Sequence, residues 1–182
     1  EALPRLAWFE YLSGNNERSL DLLAKAADHQ DGQAKALSFY YRGAILNRLR
    51  RYREALLSLD QALTERPDLV LAHEEKGESL WQLGLREEAV SVWGDALKSN
   101  PDLPLTNNFL AGAAAAMGRP EESSAYEKQA DRFTPEDPHF HWMIGLRTQY
   151  IGMNAVAEKH FSRAIQLDPT FRSRQNLDSI VR

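Results

Sequence analysis

Read only for where apolar and polar residues fall, the chain breaks into short helical stretches. Over Arg86 to Ser99, Ala89, Val90, Trp93, Ala96 and Leu97 recur at i, i+3/i+4 spacing, the apolar stripe of an amphipathic helix. Arg86, Glu87, Asp95 and Lys98 take the wet face. A preceding helix is predicted from Val70 to Leu83. Gly84 ends it, because glycine enters the left-handed conformation without steric cost. Asn100-Pro101 ends the second helix, since proline cannot continue one. The alternation of a β-strand is absent throughout, so the pattern predicts an all-α fold.

This two-helix unit recurs. Ala62, Ala96, Ala130 and Ala164 are 34 residues apart, and so are Pro67, Pro101, Pro135 and Pro169. Gly43, Gly77, Ala111 and Gly145 form a third column, and Ala55, Ala89, Ser123 and Ala157 a fourth. Gly84, Gly118 and Gly152 form a fifth, in which the earliest copy has Arg50. An earlier unit is offset by 36 residues: Ala7, Ser19, Leu23 and Ala26 precede Gly43, Ala55, Leu59 and Ala62. Its two extra residues are expected within Asp28 to Lys35, as a longer loop around Gly32. It has Asp31 in place of the closing proline.

Packing explains the small columns. Gly77 on the first helix and Ala89 on the second let two backbones cross closely, and Leu80, Leu83 and Trp93 fill the space around them. Ala96 does the same against a neighbouring unit, so each unit completes its core only when units stack. The 34-residue period, with this order of small, aromatic, alanine and proline positions, resembles the tetratricopeptide repeat (TPR) family, most closely from Ala36 to Phe171. The chain departs from the family pattern at His73, Asn107 and His141, where only Phe39 keeps the usual large aromatic. It departs again at Arg42 and Lys76 before the glycine column, and at Ser123 and Glu127, which loosen the fourth unit. The resemblance implies a right-handed superhelical stack over 1–182, with repeats at about 1–33, 36–69, 70–103, 104–137 and 138–171. Leu177, Ile180 and Val181 give residues 172–182 an apolar edge, so this tail is expected to form a solvating cap helix or, equally, the start of a next repeat.

Composition narrows the function. A formal charge of −4 over 182 residues argues against a general nucleic-acid binder. No apolar run is long enough to span a membrane, so no membrane insertion is expected. The absence of cysteine removes disulfides, thiolate catalysis and cysteine-rich zinc sites. The glycines are structural and form no phosphate loop, and no nucleophile–base constellation is visible, so the chain reads as no enzyme with no cofactor. His139 and His141 are two apart and point to different sides of a helix, so no metal pair is expected. The basic run Arg48, Arg50, Arg51 and Arg53 reads as a solvated corner. The chain begins at Glu1 and not at methionine, which leaves room for a removed upstream segment. The compartment therefore stays open, with the cytoplasm favoured and export the alternative. Oligomeric state is open as well.

In the TPR family the first helices line a concave surface, and this implies a groove for a protein or peptide partner. The residues assigned to it are Tyr40, Asn47, Glu74, Glu78, Trp81, Asn108, Gly112, Ala115, Trp142, Gln149 and Tyr150. Gly112, Ala115 and Ala116 are small and leave room for an inserted side chain, while Tyr40, Trp81, Trp142 and Tyr150 are of the kinds enriched at binding hot spots. Glu74 and Glu78 share a helix face and could answer a basic residue; with Glu75 and Lys76 they could equally be a solvated face. The carboxylate clamp of chaperone-binding TPR proteins and the asparagine ladder of O-GlcNAc transferases are both missing. The expected function is a non-catalytic scaffold or adaptor. The alternatives are the substrate-recruiting repeats of a larger enzyme, such as a glycosyltransferase or peptidase, and a secretion-type chaperone.

Overall fold

The computed structural model describes residues 2–172, with side chains from Leu6 onward. The described residues contain ten α-helices and no strand: α1 (Ala2–Leu12), α2 (Asn16–Asp28), α3 (Gly32–Arg48), α4 (Tyr52–Glu65), α5 (Val70–Gln82), α6 (Arg86–Ser99), α7 (Pro104–Ala116), α8 (Pro120–Phe133), α9 (Pro138–Tyr150) and α10 (Asn154–Leu167). This is the all-α repeat architecture expected, built of consecutive helix pairs. The chain divides into two compact units, Glu1–Ser99 and Asn100–Arg182. The cap helix expected over 172–182 lies, beyond Arg172, outside the described residues.

The turn within each pair follows one scheme. Gly84, Gly118 and Gly152 have φ of +80°, +72° and +81°, and Arg50, in the same column, has +59°. The residue after each donates its backbone N–H to a carbonyl in the last turn of the helix: Leu85 to Leu80 O at 2.9 Å, Arg119 to Ala114 O at 2.8 Å, Met153 to Thr148 O at 2.9 Å and Arg51 to Leu46 O at 2.8 Å. These bonds close Schellman motifs, which satisfy carbonyls that the helix end would otherwise leave open. The third repeat's first helix accordingly ends at Gln82, and Leu83 becomes its cap. At Arg50 the left-handed backbone costs about 1–2 kcal/mol. Glycine there would lose about 0.5–1 kcal/mol through the entropy of the unfolded chain. Arg50→Gly is therefore expected to raise stability by about 0.5 kcal/mol, read from the urea midpoint. A lower midpoint would mean the residue is not held in that conformation.

The extra residues of the first connection do not lengthen a loop. α3 begins at Gly32, four residues ahead of the position that aligns with the start of α5, and runs for 17 residues where α5 has 13. The link from α2 is only His29 to Asp31. Four residues of helix replace the expected loop, and the inserted backbone keeps its hydrogen bonds within the helix.

Within a pair, a bulky side chain of the second helix sits on a glycine of the first. A methyl group added at Gly43 would stand 2.6 Å from Leu59, and at Gly145, 2.5 Å from Phe161. At Gly77 it would collide with the indole of Trp93. Leu59, Trp93 and Phe161 are buried, and Trp93 Nε1 donates to Glu74 O at 3.2 Å. Serine in the alanine column needs a partner where alanine needs none. Ser123 Oγ donates to Ala111 O at 3.0 Å, and Ser19 Oγ donates to Ala7 O at 2.6 Å. Two of the polar residues in the usual aromatic column hold the proline turn: His73 Nε2 meets Pro67 O at 2.8 Å, and Asn107 Nδ2 donates to Pro101 O at 3.0 Å.

Candidate functional site

In the first unit, several residues assigned to the groove are buried and engaged within the chain. Asn47, Glu74 and Glu78 are buried. Asn47 Nδ2 donates to the Glu75 carboxylate at 2.9 Å and to Glu75 O at 3.0 Å. Ser79 Oγ donates to Asn47 Oδ1 at 2.6 Å. Arg48 meets Glu75 at 3.3 Å and approaches Glu78 at 3.9 Å. Lys76, expected to balance the carboxylates, instead pairs with Asp60 at 2.6 Å. The acidic cluster is therefore neither a solvated face nor an open one. A cation two helices earlier in the same chain faces it.

In the basic run Arg50 and Arg53 are exposed, and Arg51 bridges exposed Glu17 at 2.6 Å and Glu54 at 2.7 Å. The hydrogen bond from Arg51 holds the Glu54 carboxyl below the usual range. Tyr40 and Trp81 remain half-exposed. Trp81 lies 6.0 Å from the Trp93 ring, with the Arg86 guanidinium 5.4 Å from its own ring centroid.

In the second unit Trp142 is 7% exposed and packs on Phe161 and Phe171, with ring centroids 4.7 and 5.4 Å away. Gln149 and Tyr150 are half-exposed, Ala115 is exposed, and Gly112 lies under Met153. The small residues do border open space. A pocket of about 390 Å³ is walled by Asn108, Ala111, Gly112, Ala115 and Ala116 of α7, by Glu127 of α8, and by residues 152–156 and Lys159 at the start of α10. Trp142 and Tyr150 are not among its walls. The pocket exists because Glu127 holds the position that aligns with Leu59, Trp93 and Phe161, and its side chain is exposed. The bulky side chain that fills the other pairs is missing from α7–α8. Sequence reading saw the small residues of α7 but not the wall from α10. The signal was available in Glu127, the one polar member of that 34-residue column.

A second feature is a buried histidine relay. Asn108 Nδ2 donates to Pro104 O at 2.9 Å, which leaves its Oδ1 to accept from His160 Nε2 at 2.9 Å. His160 Nδ1 is then an acceptor, and His141 Nδ1 donates to it at 2.8 Å. His141 Nε2 is buried without a partner and borders a polar pocket of about 440 Å³ with Asp131, Glu136, Lys159 and Arg163. Burial pushes both imidazoles below their ordinary pKa, His160 to about 4, where the neighbouring His141 adds to the shift. Comparing His141 with His139 missed this pairing, because the partner lies 19 residues further on, on α10. Among the described residues no group of three histidine, aspartate or glutamate side chains is placed to hold a metal ion. No helix among them is long and apolar enough to cross a membrane.

Solved structures share this arrangement of helices. TTC0263, described as a thermophilic TPR protein in Thermus thermophilus, superposes with a TM-score of 0.67 over 94% of each chain at 20% identity. The chain has the tetratricopeptide-repeat fold. MamA from Desulfovibrio magneticus RS-1, residues 41 to the end, gives a TM-score of 0.63 over 91% of this chain and 93% of that one, at 21% identity. A double mutant titled MamA RS-1 ArsTM gives 0.64, over 93% and 94%, at 21% identity. No family model matches the chain.

Proposed function

We propose that this TPR-fold chain is a non-catalytic scaffold that binds a segment of a partner polypeptide. The observation that carries the reading is the open pocket beside Ala111, Gly112, Ala115 and Ala116 in a helix pair that is otherwise close-packed. A pocket of this size with mostly apolar walls and a few polar groups suits a side chain. Half-exposed Tyr40 and Trp81 in the first unit, and Gln149 and Tyr150 in the second, offer further contact residues of types suited to interfaces. Asn47, Glu74, Glu78, Asn108 and Trp142 are buried and are not proposed as contact residues.

The test is a pull-down with the full chain, after which the captured partner is purified and titrated by calorimetry. Ala115→Trp, which fills the open pocket, is expected to weaken binding by about 2 kcal/mol or more while leaving the helical circular dichroism unchanged. Unaltered affinity would remove the pocket from the account. Recovery of no partner that binds after purification would remove the scaffold reading itself.

A further inference from the structure

We propose that the pocket beside Ala111 receives one bulky apolar side chain, aromatic or leucine, from a partner polypeptide, and that a lysine or arginine of the same segment pairs with Glu127. This rests on the scaffold reading above and names the partner's chemistry at that site. The chain itself shows what such a slot holds. Three helix pairs carry the same small residue at Gly43, Gly77 and Gly145, and each is covered by a side chain from its second helix: Leu59, Trp93 and Phe161. In α7–α8 the small residue is Ala111, itself buried, and the covering position is Glu127, exposed at the wall of a pocket whose exposed small residues are Ala115 and Ala116. A side chain from outside the chain fills the part of the pair left open beside Ala115 and Ala116. Ala111, Gly112, Ala115, Met153 and Val156 give it apolar walls.

Charge selects the rest of the segment. The pocket wall has two ionisable groups, Glu127 and Lys159. Lys159 is already held by Asp131 at 2.7 Å, so among the described residues the Glu127 carboxylate is the uncompensated charge at the rim. An acidic rim beside an apolar slot is complementary to a basic residue next to a bulky apolar one.

The probe is a short peptide, Ala-Lys-Ala-Trp-Ala-Ala-Lys-Ala-Ala, titrated into the ¹⁵N-labelled full chain and followed by amide chemical shifts. Saturable shifts are expected at Ala111, Gly112, Ala115 and Val156. Replacing the peptide's tryptophan by alanine is expected to weaken binding tenfold or more, the equivalent of about 1.4 kcal/mol. Replacing its lysines by glutamate is expected to weaken it severalfold, and Glu127→Lys in the protein to reverse that preference. The double variant Ala111→Gly with Glu127→Phe rebuilds the internal knob, so it is expected to melt at or above the wild-type temperature and to lose the peptide. Shifts scattered over the surface, or equal affinity for the tryptophan and alanine peptides, would overturn the proposal. So would slot shifts that track protein concentration without peptide, since these would make a second copy the occupant. Undiminished binding of a purified natural partner by the filled variant would sink the slot and leave the scaffold reading standing. Absence of any partner for wild type and variant alike would sink both.

Discussion

Trp93→Ala is expected to destabilise the protein by about 3–5 kcal/mol, the cost of emptying a buried aromatic site. Trp93 is fully buried, lies on Gly77 and donates its indole N–H to Glu74 O. Alanine would leave a cavity against α5 and remove the indole hydrogen bond to Glu74 O. α5 contributes no side chain at Gly77 that could relax into the space. The loss is a large part of the roughly 5–15 kcal/mol that holds a typical domain together. The aligned position in α7–α8 supplies the control. Glu127 is exposed, so Glu127→Ala is expected to change stability by no more than about 0.5 kcal/mol. Urea unfolding followed by circular dichroism reads both. Equal costs at the two positions would mean that the fourth pair is packed like the others and that no slot exists.

The second large effect is one of pH. The unfolded chain binds a proton at His160 near pH 6.5, whereas the folded chain withholds it until about pH 4. A histidine depressed in the fold contributes stability that is complete above the unfolded pKa and is lost as pH falls below it. Between pH 7 and 5 the loss from this residue alone is expected to be about 2 kcal/mol. The charges facing the pair are Asp131 on α8, Glu136 before α9, and Lys159 and Arg163 on α10. Asp131 and Glu136 are engaged by Lys159 at 2.7 Å and by Arg163 Nε at 3.0 Å. His160→Gln keeps an amide able to hydrogen-bond and removes the titrating group, so its unfolding free energy is expected to vary much less over the same interval. A wild-type stability that is flat from pH 7 to 5 would show that the imidazoles are not shielded.

The fold could be read from the sequence because its determinants are local and repeated. Gly84, Gly118 and Gly152 mark helix ends through a backbone conformation that few other residues take, and the same turn forms at Arg50, which takes that conformation without being glycine. The site was less legible, for two physical reasons. Periodicity tells which face a residue occupies, but not how closely the next helix covers it. Asn47, Glu74, Glu78 and Trp142 were read as surface and are buried. Partners distant in sequence also leave no local mark: Arg48 reaches Glu75 across 27 residues, and His160 reaches Asn108 across 52. Gly112 and Ala115 line the pocket, and their smallness is a property of the residue itself. The far wall, Met153 to Val156, comes from the residue capping α10 and the first turn of that helix, and required the structure.

The most direct measurement is site-specific photo-crosslinking. A benzoylphenylalanine is placed at exposed Ala115 in one protein and at exposed Leu57 on α4 in another, and each is irradiated with the purified partner. The adducts are then mapped by mass spectrometry. Attachment is expected from position 115 and not from 57, at a single partner segment that carries a bulky apolar residue beside a lysine or arginine. Equal attachment from both positions, or a mapped segment lacking such a pair, would contradict the account.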